Sequence, residues 1–323
     1  MLTVAKANKK KRAGTSKNPV IRYFRDLKLN IKINWELYLF VLPLVAYYII
    51  FKYVPIYGIQ IAFRDYNLID GVTGSPWAGL KHFITFFNTP FAGNIIWNTF
   101  ALSMAVIIFG FPLPIILALM LNYARSHRLK NGVQLATYAP HFISTVVLAG
   151  MILTFLSKNG LINNILGLFG IEPILFMNDP KAFKPIYVIS SIWQNTGWNA
   201  IIYISALASV DPNLYEAARV DGASKWQIVW KIDLPSIIPT IVVLLLLNLG
   251  NVMSVGFEKA FLLQNDLNIT SSEIISTYLY KVGMVDLRYS FSAAVEMFNS
   301  AINLVMLLTF NKLSKKLLGR GLW

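Results

Sequence analysis

The chain has 323 residues, of which 56% are hydrophobic and only 14% charged, and its mean hydropathy is +0.55. Soluble domains carry about a quarter charged residues, so this composition excludes an ordinary water-soluble fold. The net charge of +14 would suit a nucleic-acid binder only if a soluble basic face existed, and no stretch is long enough to build one; the absence of cysteine excludes disulfides and thiol chemistry.

Residues 1–35 form a basic tail in which Lys9, Lys10, Lys11 and Arg12 cluster. The tail is too long and too polar to be the start of an ordinary cleaved signal, and no small-residue cleavage site follows the first apolar run, so that run is expected to remain as an anchor. A polybasic juxtamembrane tail is what orientation alone produces; the alternative is a specific anionic-lipid or protein site.

About 20 apolar residues in a helix cross the hydrocarbon of a bilayer. Such segments fall at 37–62, 99–121, 133–156, 186–210, 236–255 and 291–311, which predicts an all-α membrane protein of six transmembrane helices. They make one domain over 36–311, followed by a basic tail at 312–323, with no internal repeat or low-complexity linker. Lys52 and Pro55 interrupt the first segment, so its outer end is placed only within 51–63.

Lys and Arg divide unevenly between the connections. The N-terminal tail carries ten, the 122–132 and 211–235 loops three each and the C-terminal tail four, while the longer alternate loops 52–98, 157–185 and 256–290 carry three each. By the positive-inside rule both termini and the 211–235 loop face the cytoplasm of a multi-pass protein.

Within that loop, Asp211 can cap a short helix that has Pro212 at its first position, and Asp221-Gly222 can end it. Ser224 with Gln227 three residues on is a capping-box pattern for a second helix, which Leu234-Pro235 is expected to stop before the fifth crossing. Caps of this kind occur in any helical loop. Their position and spacing carry more: Glu216-Ala217-Ala218, three residues, Gly222, nine residues, then Ile232-Asp233-Leu234-Pro235.

That pattern resembles the EAA loop of permease subunits in binding-protein-dependent ABC importers, whose form is E-A-A, three residues, G, nine residues, I-x-L-P. Ile56-Tyr57-Gly58, Phe63-Arg64-Asp65-Tyr66, Trp77-Ala78-Gly79-Leu80 and Asn98-Thr99 resemble the first outer loop of carbohydrate permeases. Pro140-His141-Phe142-Ile143-Ser144 resembles the group serving oligosaccharides derived from polysaccharides, and the chain is similar to the first permease of such systems. The resemblance implies a type I ABC importer permease fold in a bacterial cytoplasmic (inner) membrane, with 211–235 as the coupling loop. It implies a non-catalytic subunit that forms half of a sugar path. Its partners would be a second homologous permease in a heterodimer, two ATPase subunits and an extracellular or periplasmic solute-binding protein. Glu216, Ala217, Ala218, Asp221 and Gly222 would couple to the ATPase; ATP and Mg would sit on that partner, and this chain would bind no cofactor of its own.

Sugars need hydrogen-bonding groups and flat aromatic faces, and polar groups in hydrocarbon are costly unless paired or lining a wet cavity. Trp193, Gln194, Asn195, Trp198 and Asn199 supply them in the fourth crossing, Asn248 and Asn251 in the fifth, and Glu296, Asn299 and Asn303 along one stripe of the sixth. These faces are expected to line a common path, although Asn and Gln also join transmembrane helices and Trp favours the interfacial belt. His141 beside Pro140 reads as a hydrogen-bonded histidine at a kink before it reads as a proton relay.

There is no G-x-x-x-x-G-K-[ST] phosphate loop, H-E-x-x-H pair or nucleophile elbow, so no catalytic or metal residue is expected and energy must come from a partner. An ion-coupled secondary carrier is the competing class, with only Glu296 and His141 available for coupling. A permease of the same family for a non-sugar solute is the other alternative.

Overall fold

The computed structural model describes residues 29–319, 321 and 322. The basic cluster at 9–12 and Arg320 of the C-terminal tail lie outside the described residues. The chain divides into two compact units, Met1–Gln60 and Ile61–Trp323.

In the first unit, α1 (Trp35–Tyr48) runs into a π turn at Ile49–Tyr53 and then a 3-10 stretch that begins at Val54 and ends at Phe63, just inside the second unit. Pro55 cannot donate to the carbonyl four residues back and its ring crowds that carbonyl, so the winding changes around it while the helix continues. The outer end thus falls at the far limit of the predicted interval. None of the side chains of α1 is buried.

The second unit is helical throughout its described residues apart from turns, loops and one isolated antiparallel bridge, Arg64 to Trp77. Its helices include α2 (Ala92–Gly110), α3 (Pro112–Asn122), α4 (His127–Tyr138), α5 (Thr145–Phe155), α6 (Pro180–Ala208), α7 (Pro212–Val220), α8 (Lys225–Ile228), α9 (Leu234–Leu249), α10 (Phe257–Leu263) and α11 (Tyr289–Leu318). By length and apolarity, Trp35–Phe63, Ala92–Asn122, Lys225–Leu249 and Tyr289–Lys316 can cross a membrane. The predicted crossing at 133–156 is different. His127–Phe142 and Thr145–Phe155 meet at 99°, so the segment is two helices with a sharp bend between them. Pro140 sits in a 3-10 turn, and Ser144 accepts a hydrogen bond from the Val147 N–H at 3.3 Å, so a new helix is capped at the break. The α6 helix, 29 residues, is long enough to cross, but its polar stripe keeps it less apolar than the other spans.

Three apolar clusters hold the second unit together. Phe86, Ile95, Val252, Met253, Ile275, Phe291 and Val295 gather at the first turns of α2 and α11. Leu102, Ala149, Phe183, Tyr187, Ala260 and Leu263 join α2, α5, α6 and α10. Ala118, Ala200, Tyr203, Leu207 and Ile237 join α3, α6 and α9. Small residues allow the closest approach: a Cβ on Gly197 of α6 would collide with the Thr137 carbonyl on α4.

The outer-loop residues have structural work. Trp77 stacks on Phe63 at 5.7 Å, and Arg64 donates to the Ser75 and Thr73 carbonyls at 2.7 and 3.0 Å. Asn98 donates to the carbonyls of Thr270 and Glu273, and Thr99 Oγ1 accepts from the Ile275 N–H at 2.9 Å. These bonds fasten the start of α2 to the segment leading to α11.

Candidate functional site

The α7 helix opens on Asp211, whose carboxylate accepts from the Asn213 N–H at 3.0 Å with Pro212 next in line. It closes in a Schellman motif: the Ala223 N–H bonds the Ala218 carbonyl at 2.9 Å and the Gly222 N–H bonds the Arg219 carbonyl at 3.1 Å. That closure needs a left-handed residue, and Gly222 supplies it with φ of 72°. The predicted capping box is present, with the Ser224 N–H donating to Gln227 Oε1 at 2.7 Å. Glu216, Ala217, Asp221 and Gly222 are exposed and Ala218 half-exposed, and the loop also presents Val220, 87% exposed. Among the described residues Glu216 has no ion-pair partner.

One expectation fails at the far side of this loop. Leu234-Pro235 does not stop the second helix; Lys225–Leu249 is one continuous rod. A π turn at Val229–Asp233 precedes the proline, and the Leu234 N–H reaches back five residues to the Val229 carbonyl. The wider turn makes room for the Pro235 ring, and the missing N–H falls at the start of the next helical segment where it costs least.

The same turn places Asp233, 0% exposed, between two phenols. Tyr123, just past α3, donates to Oδ2 at 2.6 Å, and Tyr215 of α7 donates to Oδ1 at 2.6 Å. Burial, reinforced by the Asp233 carboxylate, raises both phenol pKa values above their ordinary range. One buried carboxylate therefore ties the exposed α7 to the ends of two crossing helices. Sequence reasoning passed over this group, although an acid set among Ile232, Leu234 and apolar neighbours is the signal for it.

Behind the loop, a cleft of about 290 Å³ opens between α2, α3, α6 and α9. Ser191, Asn195, Thr196, Asn199, Tyr203 and Asn248 provide its polar groups, with Gly110, Phe111 and Pro114 at the bend between α2 and α3. Three of the predicted path residues meet there: Asn195, Asn199 and Asn248.

The others do not line this cleft. Trp198 stacks on His141 at 4.5 Å, and His141 Nδ1 lies 3.1 Å from Asn195 Oδ1, which agrees with a hydrogen-bonded histidine at a bend. Gln194 donates to the Ile143 carbonyl at 3.2 Å, while Trp193 is exposed on another side of α6. Asn251 donates to the Leu247 carbonyl at 2.9 Å. On α11, Asn299 is buried and Glu296 exposed, and Asn303 accepts from the Met253 N–H at 2.8 Å and donates to Ser254 at 3.0 Å. Of the expected stripe on the sixth crossing, Asn303 bonds a neighbouring segment and none of the three lines the cleft. Ser191, Thr196 and Tyr203, which do line it, were not singled out because single hydroxyls in an apolar helix usually bond their own backbone. Among the described residues no cluster of His, Asp or Glu is arranged to hold a metal ion.

Comparison with known proteins gives the same outline. Over 291 residues the chain is 43% identical to the polygalacturonan/rhamnogalacturonan transport system permease protein YteP of Bacillus subtilis (strain 168), covering 89% of this chain and 90% of that one. The structure superposes with a TM-score of 0.83 and 41% identity on a chain of a bacterial ABC transporter involved in the import of the acidic polysaccharide alginate, covering 90% of this chain and 99% of that one. A crystal structure of a bacterial alginate ABC transporter in complex with alginate pentasaccharide-bound periplasmic protein matches with a TM-score of 0.83 and 40% identity, over 91% and 98% of the two chains. Residues 110–318 match the family described as binding-protein-dependent transport system inner membrane component. The all-helical fold, the exposed capped loop and these similarities agree: the chain belongs to the inner-membrane components of binding-protein-dependent transport systems.

Proposed function

We propose that the chain is one of two permeases lining the path of an ATP-driven importer for oligosaccharides cut from polysaccharides. A binding protein on the outer face would deliver the sugar, and a second, homologous permease would complete the path. Relatives named for polygalacturonan/rhamnogalacturonan and alginate transport, one of them in complex with an oligosaccharide-bound periplasmic protein, support this substrate and this partner. With α6 and the bent α4 and α5 pair counted as crossings there would be six spans, both termini and 211–235 would share one face, and the uneven division of Lys and Arg supports the cytoplasmic one.

The observation that carries the reading is the α7 elbow, which is exposed along Glu216, Ala217, Asp221 and Gly222 yet anchored through Tyr215 to Asp233. A lever needs a free end and a stiff root. An ATPase subunit would hold the free end, with Ala217 and Ala218 allowing close approach and Glu216 offering one acidic contact. ATP binding would close the ATPase dimer, α7 would move with it, and Asp233 would pass the displacement to α9 and the end of α3. The cleft at Asn195, Asn199 and Asn248 lies between those helices and is the proposed part of the sugar path.

The test is uptake by proteoliposomes holding this chain with its partner subunits. Glu216→Lys and Gly222→Trp should each lower uptake at least tenfold while the sugar-loaded binding protein still docks. Wild-type uptake by both variants would refute the coupling role.

A further inference from the structure

Two charged side chains among the described residues are almost wholly withdrawn from solvent, Asp233 at 0% and Lys259 at 6% exposure. Asp233 has a phenol on each oxygen. Lys259, in the first turn of α10, has only neutral company. Its Nζ donates to Ser191 Oγ at 2.8 Å and to the Tyr187 carbonyl at 3.3 Å, and stands 4.8 Å from the centre of the Tyr187 ring. No carboxylate lies within ion-pair distance of it among the described residues.

An ammonium taken out of water costs several kcal/mol, and neutral acceptors offset only part of that. Burial accordingly pushes Lys259 down to about 7. The ammonium carries three N–H donors, of which these contacts use two. Ser191, the hydroxyl it grips, is part of the cleft wall, four and eight residues before Asn195 and Asn199 on the same face of α6. The cation therefore stands one hydrogen bond behind the surface along which a sugar would pass.

We propose that Lys259, with Ser191, is the anion-recognising point of the cleft, and that the oligosaccharide carried bears carboxylates, as uronic-acid oligomers do. This rests on the cleft being the sugar path proposed above. A carboxylate accepting from the Ser191 hydroxyl brings a counter-charge one hydrogen bond away from the buried ammonium, and charge-assisted hydrogen bonds are about twice as strong as neutral ones. A neutral sugar brings no such gain, so the site selects by charge.

The experiment is uptake of radiolabelled trigalacturonate and of galactotriose by the reconstituted transporter with its binding protein, with the melting temperature of each solubilised variant measured alongside. Wild type should take up trigalacturonate at least tenfold faster than galactotriose. Lys259→Gln should lower trigalacturonate uptake at least tenfold with an unchanged or raised melting temperature, since it removes an uncompensated buried charge; Lys259→Arg should keep it within about threefold, and Ser191→Ala should fall between. Undiminished trigalacturonate uptake by Lys259→Gln overturns the proposal, as does a fall in melting temperature that accounts for the loss. Equal uptake of the two sugars by wild type, or of neither, also overturns it. In that last case ATPase stimulation by the binding protein, and its loss in Glu216→Lys, still judges the coupling reading separately.

Discussion

At the scale of single residues, the structure turns on where small and polar side chains find partners. Gly197 is the clearest case, because its missing Cβ is the space occupied by the Thr137 backbone carbonyl. Gly197→Ala is expected to force α4 and α6 apart at a cost of about 1–3 kcal/mol, seen as a lower melting temperature of the solubilised protein. Gly132, also on α4, has open space where its Cβ would be, so Gly132→Ala should leave the melt unchanged or raise it slightly. The asparagines follow a different logic. Asn195, Asn199 and Asn248 were legible as site residues because polar groups in apolar helices need a wet cavity or a partner. Asn303 satisfies the same rule by bonding the Met253 N–H, whereas Asn299 is buried with its side-chain carbonyl oxygen unpaired among the described residues, and nothing in spacing alone separates these outcomes.

At the scale of elements, the 211–235 loop was legible nearly residue by residue, since caps act over three or four positions and are written in local sequence. Asp211, Gly222 and the Ser224–Gln227 box all behave as their spacing implies. What escaped was the continuation through Pro235 and the clamp at Asp233, because a π turn and two phenols from distant segments are tertiary facts. Tyr215→Phe and Tyr123→Phe should each cost about 1.5–3 kcal/mol by leaving a carboxylate oxygen of Asp233 unpaired, and the double variant should cost less than the sum of the two. Chemical denaturation of the solubilised protein measures both. The pH dependence has a definite sign: phenols whose folded pKa lies above the ordinary 10.0 contribute fully below that value and lose their contribution as pH rises beyond it. The clamp should therefore hold through neutral pH and loosen only in strongly alkaline solution.

At the scale of the whole molecule, the uneven division of Lys and Arg predicts opposite faces for 211–235 and for the loop near Ile69. The absence of cysteine makes the assignment easy to check. Val220→Cys, at a position 87% exposed, should react with a membrane-impermeant maleimide only in inside-out vesicles. Ile69→Cys, 91% exposed, should react only in right-side-out ones. The reverse pattern would place the α7 elbow outside and remove any route to an ATPase. The same scale explains the crossing at 133–156: hydropathy measures whether a segment tolerates lipid, and is blind to a 99° break capped by Ser144.

Composition and charge placement by themselves determined the solvent and the helical class, because hydrophobic length and helix caps are local properties of the chain, and Glu216, Ala217, Ala218 and Gly222 carried the resemblance to the family. Only the tertiary structure decided which polar residues share a cleft, that Asp233 roots the elbow, and that Lys259 is buried without a counter-charge. Those depend on which faces of which helices meet, and that is settled by packing between residues far apart in sequence.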